Sequence, residues 1–328
     1  MDLAVLAEHL AAELDQQSGR YGLAAGKPRI EYVLNWGGFV NQSFRVADGH
    51  RELHVKLTAD PDVREALVRW HRIRSSLTAR YHAPEVLSWI DVAGTAHAGL
   101  VFPRIHGTTP DRWTGPLRAA VGQAVAVLHA DVDLRALAFE DTAVGSCLDD
   151  YLGDFDRRFV EDLVLVREDR PAWLADATLE WMGEEVERLR GRVSGAAAFA
   201  EPADALIHGD LWPANVIVEP TGRWHLLDWD DFRVGDPALE VAKLYDPLAA
   251  DGAAPPADEI ERVIGTHPAA RERLQLYEAA VLLDRVIDPL ADYVAADSAP
   301  EHAARVRTAK AAEHAVALER YRARVAGR

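Results

Sequence analysis

Only one cysteine, Cys147, occurs in the 328-residue sequence. A single cysteine excludes an intrachain disulfide and a zinc site made of several cysteines, and it fits a reducing compartment. No apolar run approaches the roughly 20 residues that a membrane-spanning helix needs. Residues 1–16 carry acidic side chains and no basic segment of the kind that opens a signal peptide. We therefore expect a cytoplasmic protein with no membrane partner.

Positive charge is scarce as well. The 36 Lys and Arg residues stand against 53 Asp and Glu residues, which gives a formal net charge of −17. An acidic chain repels nucleic acid and anionic lipid, so we expect no nucleic-acid partner. The charge favours a cationic partner, although acids that only keep the chain soluble give the same sum. The length of 328 residues exceeds the usual size of one hydrophobic core, which predicts two lobes.

The hydrophobic pattern of the N-terminal third is that of a small β-rich lobe. Leucines at helical spacing predict an amphipathic helix at the start, and alternating apolar residues on both sides of Asp48-Gly49 predict a β-hairpin. The predicted elements are, in order, a helix at 3–14, strands at 30–34, 43–47 and 51–57, a helix at 63–77, and strands at 86–90 and 99–103.

Beyond residue 104 the pattern becomes mainly helical. Helices are predicted at 117–130, within 146–168 and 172–193, and from 258 onward with interruptions near Pro268, Pro289 and Pro300; short strands are predicted at 204–207, 215–218 and 225–229. We therefore predict an α+β protein with an antiparallel β-sheet lobe over residues 1–103 and a larger, mostly helical lobe over residues 104–328.

The segment 206–231 carries the most specific chemical signal. It contains His208, Asp210 and Asn215 in the spacing H-x-D-x(4)-N, and Asp228 follows at the end of a later apolar run. Phosphoryl transfer to an alcohol needs a carboxylate that orients the hydroxyl and accepts its proton, and oxygen ligands that fix magnesium on the triphosphate. A lone H-x-D is common in turns, but the complete spacing predicts a phosphotransferase.

These residues, followed by Gly235-Asp236-Pro237, resemble the catalytic core of the aminoglycoside phosphotransferase family, in the protein-kinase-like superfamily. The resemblance implies the bilobal kinase-like fold and the use of ATP or GTP with Mg²⁺. It also implies that Asp210 is the catalytic aspartate, that His208 braces its loop, and that Asn215 and Asp228 bind the metal ion.

The sequence departs from the family pattern at Glu240, where an aspartate is more usual. This departure leaves open whether Glu240 makes the supporting contacts of that aspartate.

The resemblance also assigns residues that contact the nucleotide. Lys56 lies on the strand after the Asp48-Gly49 turn, where the superfamily places the lysine that contacts the phosphates. We expect Glu65 to be its carboxylate partner, with Glu52 and Glu85 as competitors.

The segment 35–43 resembles the glycine-containing nucleotide loop of the family, although a plain hairpin turn would have a similar sequence. Gly37 and Gly38 would let the backbone approach the phosphates, and Asn41 or Ser43 would donate hydrogen bonds to them. Residues Phe102, Arg104 and Ile105 fall, by order along the chain, at the expected hinge that meets the purine.

The acceptor is predicted to be a small molecule. The catalytic loop has Gly209 and Trp212 where protein kinases usually carry Arg and Lys, and the short run from Asp228 to Pro237 leaves no activation segment for a peptide. Trp212 would stack on a ring of the acceptor or pack beneath the loop, and Asp231 is a further candidate contact.

Three aspartates point to a cationic acceptor. Asp284, Asp288 and Asp292 recur every fourth residue in a region that helps to form the acceptor pocket in the family. A solvated helix face with Arg285 nearby is the competing interpretation.

We therefore expect a monomeric or homodimeric kinase of a hydroxylated, aminoglycoside-like or other antibiotic, acting in resistance or self-protection. A metabolic kinase of choline, homoserine or a sugar is the alternative, and a catalytically inactive nucleotide-binding module is a third.

Overall fold

The computed structural model describes residues 2–34, 41–140, 143–246, 256–298 and 301–326. The chain forms two compact units. Unit 1 comprises residues 1–110, 136–138 and 214–232, and unit 2 comprises residues 111–135, 139–213 and 233–328. Unit 1 thus contains residues 104–110 and 214–232 in addition to the sequence predicted for the β-sheet lobe.

Regular elements account for most of the described chain. The strands are β1 (Arg29–Val33), β2 (Gln42–Ala47), β3 (Glu52–Thr58), β4 (Ser88–Asp91), β5 (Ala98–Pro103), β6 (Ala205–Ile207), β7 (Val216–Val218), β8 (Trp224–Leu226) and β9 (Arg233–Gly235). The α-helices are α1 (Leu3–Gln16), α2 (Ser18–Tyr21), α3 (Pro61–Arg80), α4 (Gly115–His129), α5 (Val132–Ala138), α6 (Cys147–Tyr151), α7 (Arg157–Glu168), α8 (Asp176–Gly195), α9 (Pro237–Leu244), α10 (Ala257–Ile264), α11 (Pro268–Ala295) and α12 (Ala303–Ala326).

In unit 1 an antiparallel sheet has the strand order β1-β2-β3-β5-β4. The turn between β2 and β3 is the predicted one: the Asp48 carboxylate accepts hydrogen bonds from the N–H groups of His50 (2.8 Å) and Arg51 (2.7 Å). Gly49 has φ +90°, which a residue with a Cβ adopts only at a cost. The predicted hairpin is confirmed.

The predicted amphipathic helix α1 is also confirmed. It packs on one face of the sheet, so functional side chains must lie on the opposite face. Leu6, Leu10 and Leu14 of α1 share one buried core with Leu53 and Val55 of β3. Because side chains alternate along a strand, Lys56 lies on the opposite face of β3.

Unit 2 is mainly helical. Helix α11 runs through its centre, and Tyr277 of α11 packs with Phe155, Phe199 and Tyr151 at ring-centroid distances of 5.4–6.2 Å. Strands β6 and β9 pair antiparallel and carry the segment that precedes Asp210.

The predicted interruption at Pro289 is wrong, because α11 continues from Pro268 to Ala295 with Pro289 inside it. Proline cannot donate the usual hydrogen bond to the carbonyl four residues earlier. The residues around it, Val286, Ile287 and Leu290, are fully buried, so packing holds the helix together despite that loss. Pro268 is the first residue of α11, a position that proline favours.

Among the described residues, no helix combines the length and the apolar character that crossing a membrane would require.

Candidate active site

One group of the predicted site residues lies in unit 1, at one end of the β7–β8 hairpin. Asn215 ends a 3₁₀ turn directly before β7, and its carbonyl accepts a hydrogen bond of 2.8 Å from the N–H of Leu227. Asp228 follows Leu227 and has the left-handed φ of +64°. A non-glycine residue in that region stores backbone strain, of a kind that concentrates at functional sites. The hairpin thus brings the backbones of the two predicted metal ligands to the same end.

Lys56 lies against the same end of the hairpin. Its Nζ contacts Asp228 and lies 2.7 Å from Oδ1 of Asp230, and the residue is 7% exposed. Burial would lower the pKa of Lys56, but the charges of Asp228 and Asp230 outweigh it and raise the pKa. Lys56 is therefore a buried, permanently charged ammonium group held by two carboxylates.

Asp230 ties Lys56 to the end of the predicted nucleotide loop. Its Oδ2 accepts a hydrogen bond of 2.9 Å from Nδ2 of Asn41. Ser43, two residues further, is the cross-strand neighbour of Lys56 in the β2–β3 register. Asn41, Ser43 and Lys56 are therefore brought together, whereas Gly37 and Gly38 lie outside the described residues.

No role is predicted from the sequence for Asp230, although it stands only two residues after Asp228. Glu65, the predicted partner of Lys56, is placed elsewhere: its carboxylate is 77% exposed and pairs with Arg69 at 3.1 Å. The competitor Glu52 pairs with Arg45 at 2.6 Å, and Glu85 is exposed. Helix α3 turns Leu67 and Trp70 inward, so Glu65 falls on its outer side.

The predicted hinge follows β5. The Arg104 N–H donates to the Glu52 carbonyl at 3.1 Å. Because successive groups alternate sides, the Pro103 carbonyl and the Ile105 N–H point away from β3. In the described part of the chain, no backbone hydrogen bond uses either group. The Phe102 ring itself is buried, 5.2 Å from the ring of Trp70, so this ring is not open to a ligand.

A second group of predicted site residues lies in unit 2, in the loop after β6. His208 is completely buried, and its Nδ1 lies 3.2 Å from the N–H of Asp210. Between them, Gly209 has φ +87°. The side chain of Asp210 is 26% exposed, and its Oδ1 lies 3.8 Å from Nζ of Lys243. The Nδ1 of His208 thus contacts the backbone of the loop, while the Asp210 carboxylate remains partly accessible.

Glu240 of α9 holds this loop despite the departure from the usual aspartate. Its Oε1 accepts a hydrogen bond of 2.8 Å from the Gly209 N–H, and its Oε2 lies 2.8 Å from Nε2 of His129. Burial would raise the pKa of Glu240, but the interactions with His129, His208 and the Gly209 N–H lower it. The supporting contacts that the sequence left in question are present.

Trp212 is half-buried, and two cationic side chains lie over its ring. The guanidinium carbon of Arg285 lies 4.0 Å from the ring centroid, and Nζ of Lys243 lies 5.6 Å from it. Asp231, the other predicted acceptor contact, is exposed and belongs to unit 1.

The aspartate stripe on α11 is buried rather than solvated. Asp284 is 6% exposed and lies 2.8 Å from Arg158, and Asp292 is 8% exposed and lies 2.9 Å from Lys310. Asp288, between them, is half-buried. The interpretation as a solvated helix face is therefore wrong.

Negative charge exceeds positive charge around this stripe. Burial and the nearby charge of Asp288 raise the pKa of Asp162 on α7 to about 7. Burial and the negative charge of Asp288 raise the pKa of Asp284 to about 6, and together they outweigh the opposite effect of Arg158. In addition, one oxygen of Asp162 is buried without a hydrogen-bond partner. A bound cation would relieve this surplus.

The donor set of unit 1 fits magnesium better than zinc. Among the described residues, no group of three or more His, Cys, Asp or Glu side chains is placed to hold a metal ion. Asp228 and Asn215 instead offer a carboxylate and an amide oxygen, and Mg²⁺ characteristically takes one or two protein oxygens and keeps the rest of its shell for water and phosphate.

Comparisons with known proteins agree with this chemistry. The sequence model of the phosphotransferase enzyme family matches residues 31–277. No curated protein sequence matches the chain.

Solved structures share the fold at low identity. The GDP and kanamycin complex of APH(2")-IIia has a TM-score of 0.58 at 11% identity, over 94% of this chain and 98% of the other. Spectinomycin phosphotransferase APH(9)-Ia with ADP and spectinomycin has 0.56 at 10%, over 88% and 90%. A choline/ethanolamine kinase family protein from Mesorhizobium loti has 0.52 at 19%, over 94% and 99%. The predicted α+β kinase-like fold is confirmed.

Proposed function

The chain belongs to the phosphotransferase enzyme family and is a small-molecule kinase, and on this premise we propose that it transfers the γ-phosphoryl group of ATP or GTP to a hydroxyl of a cationic small molecule, such as an aminoglycoside-like antibiotic. The observation that carries the proposal is the buried Lys56 ammonium group, which Asp228 and Asp230 hold beside Asn41.

On the nucleotide side, Lys56 contacts the phosphates as a fixed positive charge. The Pro103 carbonyl and the Ile105 N–H supply one acceptor and one donor for the edge of a purine. Both groups are backbone, so their chemistry suits either adenine or guanine.

Asn215 and Asp228 would hold Mg²⁺, which would neutralise phosphate charge when bound. Their positions at one end of a short hairpin, with Asp228 in a constrained backbone conformation, support this assignment. The residues of this chain then keep the triphosphate in place while the acceptor reacts.

On the acceptor side, the Asp210 carboxylate accepts a hydrogen bond from the acceptor hydroxyl and aligns it with the γ-phosphorus. The hydroxyl oxygen forms the new bond to phosphorus, the bond between the γ-phosphorus and the bridging oxygen breaks, and the nucleoside diphosphate leaves. The hydroxyl proton passes to Asp210. This transfer has no phosphoenzyme intermediate.

The surplus of buried and half-buried carboxylates at Asp162, Asp284 and Asp288 supports a cationic acceptor. Two of the proteins with this fold were solved with kanamycin or spectinomycin. These observations support an antibiotic acceptor and a role in resistance or self-protection.

A metabolic kinase of choline, homoserine or a sugar is the second candidate. Arg158 and Lys310 already neutralise part of the aspartate stripe, which favours an acceptor with a single cationic group over a polyamine. The fold shared with a choline/ethanolamine kinase family protein agrees with this candidate.

The test is substrate-dependent release of ADP or GDP over a panel of kanamycin, spectinomycin, choline, homoserine and neutral sugars, with mass spectrometry of each product. We expect an added phosphate on a hydroxylated antibiotic. Phosphorylation of choline or homoserine alone would replace the proposal with the metabolic candidate. Nucleotide binding without a phosphorylated product from any member would overturn it in favour of an inactive binding module.

A further inference from the structure

Helix α9 holds the loop of Asp210 with two side chains that are three residues apart. Glu240 accepts a hydrogen bond of 2.8 Å from the Gly209 N–H, and Lys243 Nζ donates one of 2.5 Å to the Gly209 carbonyl. Both backbone polar groups of Gly209 are thus fixed from the same helix. Gly209 precedes Asp210 directly, so the position of the Asp210 backbone depends on these two bonds.

Lys243 does more than donate one hydrogen bond. It is 2% exposed, and its Nζ lies 3.8 Å from Oδ1 of Asp210 and 5.6 Å from the ring centroid of Trp212. Its ammonium group therefore contacts the backbone before Asp210, the Asp210 carboxylate and the π-face of a loop residue together.

The stability of α9 does not account for a charge at this position. Apart from Glu240, the neighbours of Lys243 on the helix are buried and apolar: Ala238, Leu239, Val241, Ala242 and Leu244. Removing an ammonium group from water costs several kcal/mol, and a buried ion pair often stabilises a fold no better than apolar residues of similar volume. A lysine here thus points to a requirement of the loop.

We propose that Lys243 is a positioning residue for the transfer reaction: its ammonium group fixes the Gly209–Asp210 peptide and orients the Asp210 carboxylate toward the acceptor hydroxyl. This inference rests on the proposed function for the role of Asp210. It adds a cation that is supplied by α9, 33 residues after the loop it serves, and that no motif in the loop itself indicates.

The charge of Lys243 also acts on Asp154, another carboxylate of unit 2. Burial would raise the pKa of Asp154, but Lys243, Arg233 and Arg158 lower it to about 2. The ammonium group of Lys243 thus acts on two carboxylates, those of Asp210 and Asp154, as expected of a fixed counter-charge.

The first test is kinetic and uses Lys243→Met and Lys243→Arg. We expect Lys243→Met to lower kcat on the order of 10²-fold, as for other charge-positioning groups, with the nucleotide Kd changed less than about threefold. Lys243→Arg keeps a charged donor and should recover at least about tenfold of that loss. A folded Lys243→Met enzyme with the kcat of the wild type would overturn the proposal. If Lys243→Met does not fold, Lys243→Gln takes its place as the neutral variant, with the same expected loss.

The second test does not depend on turnover. Hydrogen exchange of a peptide covering residues 206–215 should become faster in Lys243→Met, because the Gly209 carbonyl has lost its donor. Lys310→Met is the matched control, since Lys310 is equally buried (6% exposed) but pairs with Asp292 of α11; it should leave the exchange of residues 206–215 unchanged.

Together the two tests separate this inference from the proposed function. Faster loop exchange in Lys243→Met, in a protein that phosphorylates no acceptor, would support the fixing of the loop and contradict the proposed function. Unchanged loop exchange and unchanged kcat, in a protein that does phosphorylate an acceptor, would support the function and overturn the role of Lys243. Equal acceleration in the Lys310 variant would reduce the effect to general destabilisation and likewise overturn it.

Discussion

The Nζ of Lys56 lies 2.7 Å from Oδ1 of Asp230, a residue 174 positions later in the chain. This pair joins the middle strand of the unit 1 sheet to the end of the β7–β8 hairpin. Asp230 also binds Asn41, so one carboxylate, 15% exposed, connects the lysine proposed to contact the phosphates with the nucleotide loop. Glu65 of α3 pairs with Arg69 instead.

The first prediction follows from that connection. Asp230→Leu should raise the nucleotide Kd about 10- to 100-fold, because Lys56 and Asn41 each lose a partner in a largely buried site, which typically costs about 1.5–3 kcal/mol. Glu65→Gln provides the comparison, since Glu65 pairs only with the i+4 residue Arg69 among the described contacts. Titration of each variant with a fluorescent ATP analogue measures the effect. A larger loss in Glu65→Gln than in Asp230→Leu would show that α3 supplies the working partner of Lys56.

The second prediction concerns Asp210. Asp210→Asn keeps the shape of the side chain but removes the proton acceptor, so kcat should fall by about 10²-fold or more while the nucleotide Kd stays within a few fold. Asp204→Asn is the control, because Asp204 is exposed just before β6. Steady-state kinetics with the best acceptor measure both variants. Near wild-type turnover of Asp210→Asn would remove Asp210 from the mechanism.

The parts of the site that the sequence predicted are those encoded locally. The spacing from His208 to Asn215 lies within one loop, and the Asp48-Gly49 turn forms from adjacent residues. Such features follow from short-range geometry. Helix α1 was equally predictable, because Leu6, Leu10 and Leu14 repeat at the helical period and all are buried.

The parts that were missed depend on long-range packing. Lys56 contacts Asp230, which lies 174 positions away in the sequence, and Lys243 contacts Gly209, which lies 34 positions away. No local sequence pattern indicates either pair. Glu65 is a different case. The buried residues Leu67, Trp70 and Ile73 define the inner face of α3, and Glu65 does not lie on that face. The helical spacing of these apolar residues can be read from the sequence, so the outward position of Glu65 was predictable. Pro289 was misjudged because a local rule was applied to a helix whose surroundings are fully buried.

The third prediction tests the spacing of strands beside Lys56. A Cβ at Gly99 of β5 would lie 1.8 Å from the carbonyl oxygen of Lys56, so Gly99→Ala must push β3 and β5 apart. We expect a loss of about 1–3 kcal/mol of stability together with weaker nucleotide binding. Gly191→Ala on α8 is the control, because nothing lies within 4 Å of its added Cβ; it should stabilise by about 0.5–1 kcal/mol. Thermal unfolding measures both, and unchanged stability of Gly99→Ala would contradict the close approach of the strands.

The fourth prediction is a pH dependence that originates in the aspartate stripe. The pKa of Asp162 is raised to about 7 and that of Asp284 to about 6. The charged groups that act on these two carboxylates are Arg158 of α7, Lys243 of α9, and Asp288, Asp292 and Arg285 of α11. Lys310 of α12 acts on Asp288 and Asp292, and Glu313 of α12 acts on Asp292.

Both pKa values are higher in the folded chain than in the unfolded chain, so folding favours the protonated carboxyls. The stabilising contribution is complete at low pH and is lost as the pH rises through about 6 to 7. Asp162→Asn should therefore stabilise the protein by about 1–3 kcal/mol more at pH 8 than at pH 5.5. Thermal unfolding at the two pH values measures this difference, with Asp258→Asn as the control because Asp258 is exposed on α10.

The binding of a cationic acceptor should change the stability of the protein with pH in the opposite direction. Because it favours the ionised carboxylates, it should raise the unfolding temperature more at pH 8 than at pH 5.5, and Asp162→Asn should reduce that difference. A neutral sugar acceptor should stabilise equally at both pH values. If the phosphorylated acceptor is cationic but stabilises the protein equally at pH 5.5 and pH 8, its positive charge does not bind at the stripe, and a different part of unit 2 must recognise it.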